Sequence, residues 1–137
     1  MTIAATAREF VEACDSGQGW EACKQYCHDG AAFTCQSGAL ADMSALEDYT
    51  NWAKSLLTPA PDAHYALKAL AADEERQIVL AAAVFHGTHT GEGGPVPPTG
   101  KSVATDYVYA MKFDGGKISQ MTKIWNDGFA LGQLGWA

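Results

Sequence analysis

Between Phe85 and Trp136 lies a set of side chains able to transfer a proton or recognise a polar group: His86, His89, Glu92, Asp106, Tyr107, Tyr109, Asn126 and Asp127. Histidine is a donor or base near neutral pH, and carboxylates, phenols and amides add acids, bases and hydrogen-bond donors. The set suits proton transfer or polar recognition inside a cavity. What it does depends on which of these residues share a face.

A tight turn bears on that. Gly115-Gly116 sits between Phe113-Asp114 and Lys117-Ile118, and Gly-Gly supplies the positive φ that a two-residue hairpin needs. Extrapolated from Asp114 opposite Lys117, the register sets Phe113 against Ile118, Met111 against Gln120, Tyr109 against Thr122, Tyr107 against Ile124 and Thr105 against Asn126. Alternation then puts Val103, Thr105, Tyr107, Tyr109, Met111 and Phe113 on one face with Gln120, Thr122, Ile124 and Asn126. That mixture of apolar groups with hydroxyls and amides fits a ligand cavity. Ala104, Asp106, Val108, Ala110, Lys112, Met121, Lys123, Trp125 and Asp127 fall on the other face. One bulge would reverse everything beyond it.

Within this frame His89 is either a donor or base at the cavity rim or a tie for the loop Gly91–Gly100, whose glycines and prolines exclude regular structure. His86 is a candidate cavity liner. Tyr109 is either a hydrogen-bond donor in the cavity or a core residue. Asp106 reads as a rim charge or a second carboxylate, and Glu92 as a solvated loop residue.

The chain has 137 residues, 47% hydrophobic and 18% charged, enough for one domain with a core. A net charge of −7 argues against nucleic acid and anionic membrane surfaces as partners. No apolar run approaches the ~20 residues of a membrane span. The N-terminal residues lack the layout of a secretory signal, so a cytoplasmic protein is expected. Cys14, Cys23, Cys27 and Cys35 admit metal, disulfide or buried-thiol readings; without a second CxxC-type pair, packing as small hydrophobes is favoured.

Apolar spacing predicts a helix over 2–15, another from Trp20 to about His28, and a strand over 31–36. A third helix opens on a capping box, Ser44-Ala45-Leu46-Glu47, and ends before Pro59. Its Tyr49 and Trp52 are core residues or a cavity wall. Strands follow over 64–72 and 77–90, then the hairpin, then a short turn over 129–134. The order predicts an α+β domain, a curved antiparallel sheet with helices on one face.

Gly87-Thr88-His89-Thr90-Gly91-Glu92, Pro97-Pro98-Thr99-Gly100-Lys101, Gly116-Lys117-Ile118, Trp125-Asn126-Asp127, Leu131 and Gln133-Leu134-Gly135 together resemble the SnoaL-like polyketide cyclases, of the superfamily that includes nuclear transport factor two and ketosteroid isomerase. The first half fits in element order only. The resemblance implies a cone-shaped sheet wrapped around N-terminal helices, with an apolar pocket. It implies a homodimer or higher homo-oligomer, with Val108, Met121 and Trp125 as the surface that assembles. It further implies a cofactor-free, metal-free intramolecular aldol closure, or a related isomerisation, of a small hydrophobic carbonyl compound. A carboxylate raised in pKa by an apolar pocket suffices for such a carbon acid.

Matched to the family, Asp127 is the expected acid/base, assisted by His89 and Tyr109, with His86, Tyr107, Asn126, Trp52 and Tyr49 around the substrate. The family often carries Glu-His-Trp-Asp before that aspartate. Here those positions are Gln120, Met121, Thr122 and Lys123, which removes a histidine and an acidic residue. The alternative reading is a non-catalytic small-ligand or dimerisation module of the same fold.

Overall fold

The computed structural model describes residues 1–137. Helix α1 (Ile3–Asp15) begins where Thr2 accepts a hydrogen bond from the Ala5 amide at 3.1 Å. Its stripe of Ile3, Ala7, Phe10, Val11 and Cys14 is buried. Helix α2 (Trp20–Cys23) is a single turn continued by a 3-10 turn, and strand β1 (Cys27–Cys35) starts where the spacing predicts the helix to end. Cys27 pairs with Ile118 in the sheet, and this pairing outweighs the local helical pattern. All four cysteines are buried free thiols.

Helix α3 (Leu46–Ser55) lacks the expected capping box. Ala45 is its N-cap, because Ser44 and Ala45 are held extended against β1: the Phe33 amide donates to the Ser44 carbonyl at 2.9 Å, and Ala45 bridges Ala32. The remaining elements are β2 (His64–Asp73), β3 (Ile78–Thr88), β4 (Ser102–Asp114), β5 (Lys117–Trp125) and α4 (Asp127–Leu134).

The five strands form one curved, unclosed sheet in the order β1-β5-β4-β3-β2. It is mixed and not wholly antiparallel, since β1 runs parallel to β5. Phe10, Val11, Phe33, Leu46, Val79, Met111, Ile118 and Met121 fill the space between α1, α3 and the inner sheet face, each at most 1% exposed. Burying a side chain of that size is worth ~1.5–3 kcal/mol, so this seam anchors the helices on the sheet.

The β4–β5 hairpin corrects the extrapolated register. Gly115 and Gly116 have φ of 60° and 86°, and Phe113 does face Ile118. The next pair is Lys112 with Gln120, which leaves Ser119 as an extra residue. This bulge reverses the rest of β5. Met111 therefore pairs with Met121, Tyr109 with Lys123 and Tyr107 with Trp125. Met121, Lys123 and Trp125 join the inner face, while Gln120, Thr122 and Ile124 turn outward. The outer face keeps Val108 and gains exposed Leu80 and Ile124, and Met121 and Trp125 leave the surface expected to assemble.

Candidate active site

An apolar cleft opens between α1, α3, α4 and the inner sheet face, and 16 of its 20 lining residues are hydrophobic. Trp52, Leu56 and Leu57 line it from α3 and the turn after it, Phe85 from β3, Trp125 from β5, and Leu131, Leu134 and Trp136 from the C-terminus. Its few polar groups converge. Asp15 is the last residue of α1, Tyr49 lies in the middle of α3, Tyr107 and Tyr109 alternate with Val108 on β4, and Lys123 is the partner of Tyr109 across the hairpin.

These five form one hydrogen-bonded chain. Lys123 Nζ donates to the Tyr49 hydroxyl at 2.9 Å. Tyr49 and Tyr109 hydroxyls lie 2.5 Å apart. Tyr109 donates to Asp15 Oδ1 at 2.7 Å, and Tyr107 donates to Asp15 Oδ2 at 2.5 Å. Since Tyr109 spends its proton on Asp15, it accepts from Tyr49, which in turn accepts from Lys123. All the donors thus run one way, from ammonium to carboxylate. Two hydroxyls separate the charges, so no direct ion pair forms.

Lys123 is 6% exposed. Its Nζ lies over the rings of Trp125, Tyr49, Tyr107 and Trp52, at 4.3, 5.0, 5.1 and 5.2 Å from their centroids. Ring faces attract a cation but do not replace its hydration. Burial therefore brings Lys123 down to about 8, against the opposing pull of Asp15. Burial raises the Asp15 carboxyl, and the hydrogen bonds from Tyr107 and Tyr109 and the charge of Lys123 offset part of that. Its place at the negative end of α1 acts in the same raising direction. Burial and the nearby Asp15 also push the Tyr49 and Tyr109 phenols up, so both remain neutral hydroxyls. The two ends of the chain are thus shifted toward each other. A proton can leave Lys123 and reach Asp15 by three short transfers, with no net change in charge.

Four of the residues singled out in the sequence meet here: Tyr49, Trp52, Tyr107 and Tyr109. The others lie elsewhere. His89 is fully buried behind Trp136, outside the cleft lining. Its Nδ1 accepts from Trp136 Nε1 at 2.8 Å and from the Thr99 amide at 3.3 Å, while Nε2 has no partner. His86 lies on the outer sheet face, stacked on His64 at 5.0 Å. Asn126 is the N-cap of α4 and accepts from the Phe129 amide at 3.1 Å. Asp127 opens α4, where its Oδ2 accepts from the Ala39 amide at 2.8 Å and its Oδ1 from the Gly128 amide at 3.0 Å. It borders a separate groove with Thr34 and Ser37. Asp106 and Glu92 are exposed.

The sequence reading does not single out Asp15, and it places Lys123 on the face away from the cavity. Asp15 looks like a helix-end residue before a Ser-Gly breaker. Lys123 carried a usable signal: it shares strand parity with Met121 and Trp125, and a charge between two large apolar groups on one face needs explaining. No group of three or more His, Cys, Asp or Glu side chains comes together as a metal site.

The comparisons with known proteins agree with this fold. IdmH from Streptomyces antibioticus, described as a candidate polyketide cyclase, is 20% identical, with 98% of this chain and 99% of that one covered at a TM-score of 0.79. AclR from Streptomyces galilaeus, described as a candidate hydroxylase, is 21% identical, with 98% and 82% covered at 0.78. A candidate polyketide cyclase from Acidithiobacillus ferrooxidans is 22% identical, with 99% and 96% covered at 0.74. At such identities the likeness is one of fold. No curated protein matches in sequence. A family model for SnoaL-like polyketide cyclases matches residues 5–134, nearly the whole length, and the chain belongs to that family.

Proposed function

We propose that the cleft binds a small hydrophobic carbonyl compound and moves a proton at the carbon beside the carbonyl, the chemistry of a ring-closing aldol reaction or an isomerisation. The observation that carries this reading is the Asp15 carboxylate, held by two phenols at the polar wall of an otherwise apolar cleft. A raised carboxylate is a competent base for an activated carbon acid and, once protonated, an acid for the product oxygen. Tyr107 and Tyr109 orient it with their single protons, and once Asp15 has taken up the carbon's proton either phenol is free to donate to an enolate oxygen. Lys123 adds positive charge on the same side. In this reading the acid/base role assigned by resemblance to Asp127 belongs to Asp15, and Tyr109 keeps its assisting role.

The same observation weighs against a purely non-catalytic ligand module, which has no use for a buried carboxylate coupled to a lysine. Deuterium uptake at the α-carbon of α-tetralone, followed by NMR in heavy water, tests the proposal without knowledge of the natural substrate. Wild-type protein is expected to accelerate uptake, and Asp15→Asn to lose ~10²–10⁴-fold of that acceleration. Equal rates in the two proteins remove Asp15 from the mechanism.

A further inference from the structure

We infer that Lys123 is a covalent catalytic residue: its amine condenses with the carbonyl carbon of a hydrophobic aldehyde or ketone in the cleft to form an imine. This deepens the reading above and rests on the cleft binding carbonyl compounds.

The argument begins with what Lys123 lacks. A buried lysine held for structure is normally paired directly with a carboxylate. Lys123 Nζ has one hydrogen-bond partner, the Tyr49 hydroxyl. Its nearest carboxylate, Asp15, is reached only through Tyr49 and Tyr109. Four ring faces surround it, and all four residues, Tyr49, Trp52, Tyr107 and Trp125, also line the cleft. An apolar carbonyl compound packed against those rings would bring its carbonyl carbon to the amine.

The surroundings also favour the free base. Asp15 and Cys14 on α1, Cys35 on β1, Tyr49 on α3, and Tyr107 and Tyr109 on β4 are the titratable groups around the nitrogen. Of these, Asp15, Cys14 and Cys35 favour its charged form, yet desolvation outweighs them. At pH 7 an amine titrating at about 8 has roughly 250 times the free-base fraction of an ordinary lysine at 10.4. Desolvated lysines of this kind serve as Schiff-base nucleophiles.

The step balances. The neutral amine attacks the carbonyl carbon, and one amine proton passes to the former carbonyl oxygen to give a carbinolamine. That hydroxyl leaves as water, taking a proton delivered from Asp15 along the Tyr109 and Tyr49 hydroxyls. The products are the iminium of Lys123 and one water, with Asp15 again ionised. The iminium acidifies the adjacent carbon far more than the carbonyl does. The resulting enamine is the carbon nucleophile of an aldol closure, and hydrolysis by one water returns the lysine.

The test is hydride trapping of wild-type protein. 2-Naphthaldehyde and sodium cyanoborohydride are added at pH 7, and the reduced adduct is located by peptide mass spectrometry. Binding of the aldehyde without hydride is read separately, as saturable quenching of tryptophan fluorescence. The expected result is an adduct at Lys123 about tenfold or more above that at any of the six other lysines. It is absent in Lys123→Arg, and its rate of formation rises as pH is raised through 8. Saturable binding with adducts spread evenly over the lysines overturns the imine and leaves the acid/base reading standing. Absence of both binding and adduct overturns both. Should Lys123→Arg fail to fold, the peptide map of the wild type still decides.

Discussion

Two polar clusters are buried in this protein, and they are wired differently. At the cleft, Lys123, Tyr49, Tyr109 and Asp15 are linked so that each interior member both donates and accepts. Beneath the Gly91–Gly100 loop, His89 only receives: Trp136 Nε1 and the Thr99 amide converge on Nδ1, and Nε2 meets nothing. The first arrangement can shift a proton from end to end. The second fixes shape, holding the loop and standing Trp136 edge-on to His89, with ring centroids 5.1 Å apart. A buried histidine and a buried lysine invite the same functional guess from sequence; the direction of their hydrogen bonds separates them.

Breaking the histidine cluster should cost the most stability. His89→Ala leaves two donors without an acceptor and a void behind Trp136, for a loss of about 3 kcal/mol in denaturant unfolding. Per folded molecule, its deuterium uptake should fall far less than that of Asp15→Asn. An equal fall would make the two clusters a single machine.

Lys123→Met probes the other cluster through pH. The folded protein releases the Lys123 proton at about 8, and the unfolded chain holds it to about 10.5. In that window the unfolded state binds more protons, so the wild type gains stability as pH rises. Thiols and phenols raised by folding pull the opposite way above about 9, but they are common to both proteins. The difference, wild type minus Lys123→Met, should therefore grow by roughly 1.5 kcal/mol between pH 8 and 9.5. A flat difference would mean that Lys123 titrates like a surface lysine.

The smallest effect sharpens the contrast. Tyr109→Phe deletes the hydroxyl that joins Asp15 to Tyr49 but leaves Tyr107 on the carboxylate. It should cost about 1 kcal/mol, while midpoints of the two ends, followed by NMR, become independent. Trp136→Phe removes the donor to His89 and should cost a similar amount without altering those midpoints.

Much of the fold was legible because it rests on local repetition. The apolar stripe of α1 and the Gly-Gly turn each follow from spacing that nothing interrupts. The capping box failed because a distant strand, β1, holds Ser44 and Ala45 extended. The cleft walls Tyr49, Trp52, Tyr107 and Tyr109 were legible as aromatic residues on the right elements. Its charged groups were not. Asp15 reaches the site by the packing of α1 across the sheet, a long-range event, and Lys123 by one extra residue in β5.

That extra residue has a consequence for how the chain can vary. Ser119 is half-buried in the bulge, with its hydroxyl bonded only to the Lys112 carbonyl, at 3.3 Å. Loss of its codon would straighten β5 and leave Gln120 opposite Lys112, so each downstream partnership with β4 would survive. Loss of Gln120, Met121 or Thr122 could be absorbed the same way, by Ser119 entering the ladder, with Lys123 still facing Tyr109. The bulge is one residue of slack, and a lineage can spend it once before a deletion turns the lysine out of the cleft.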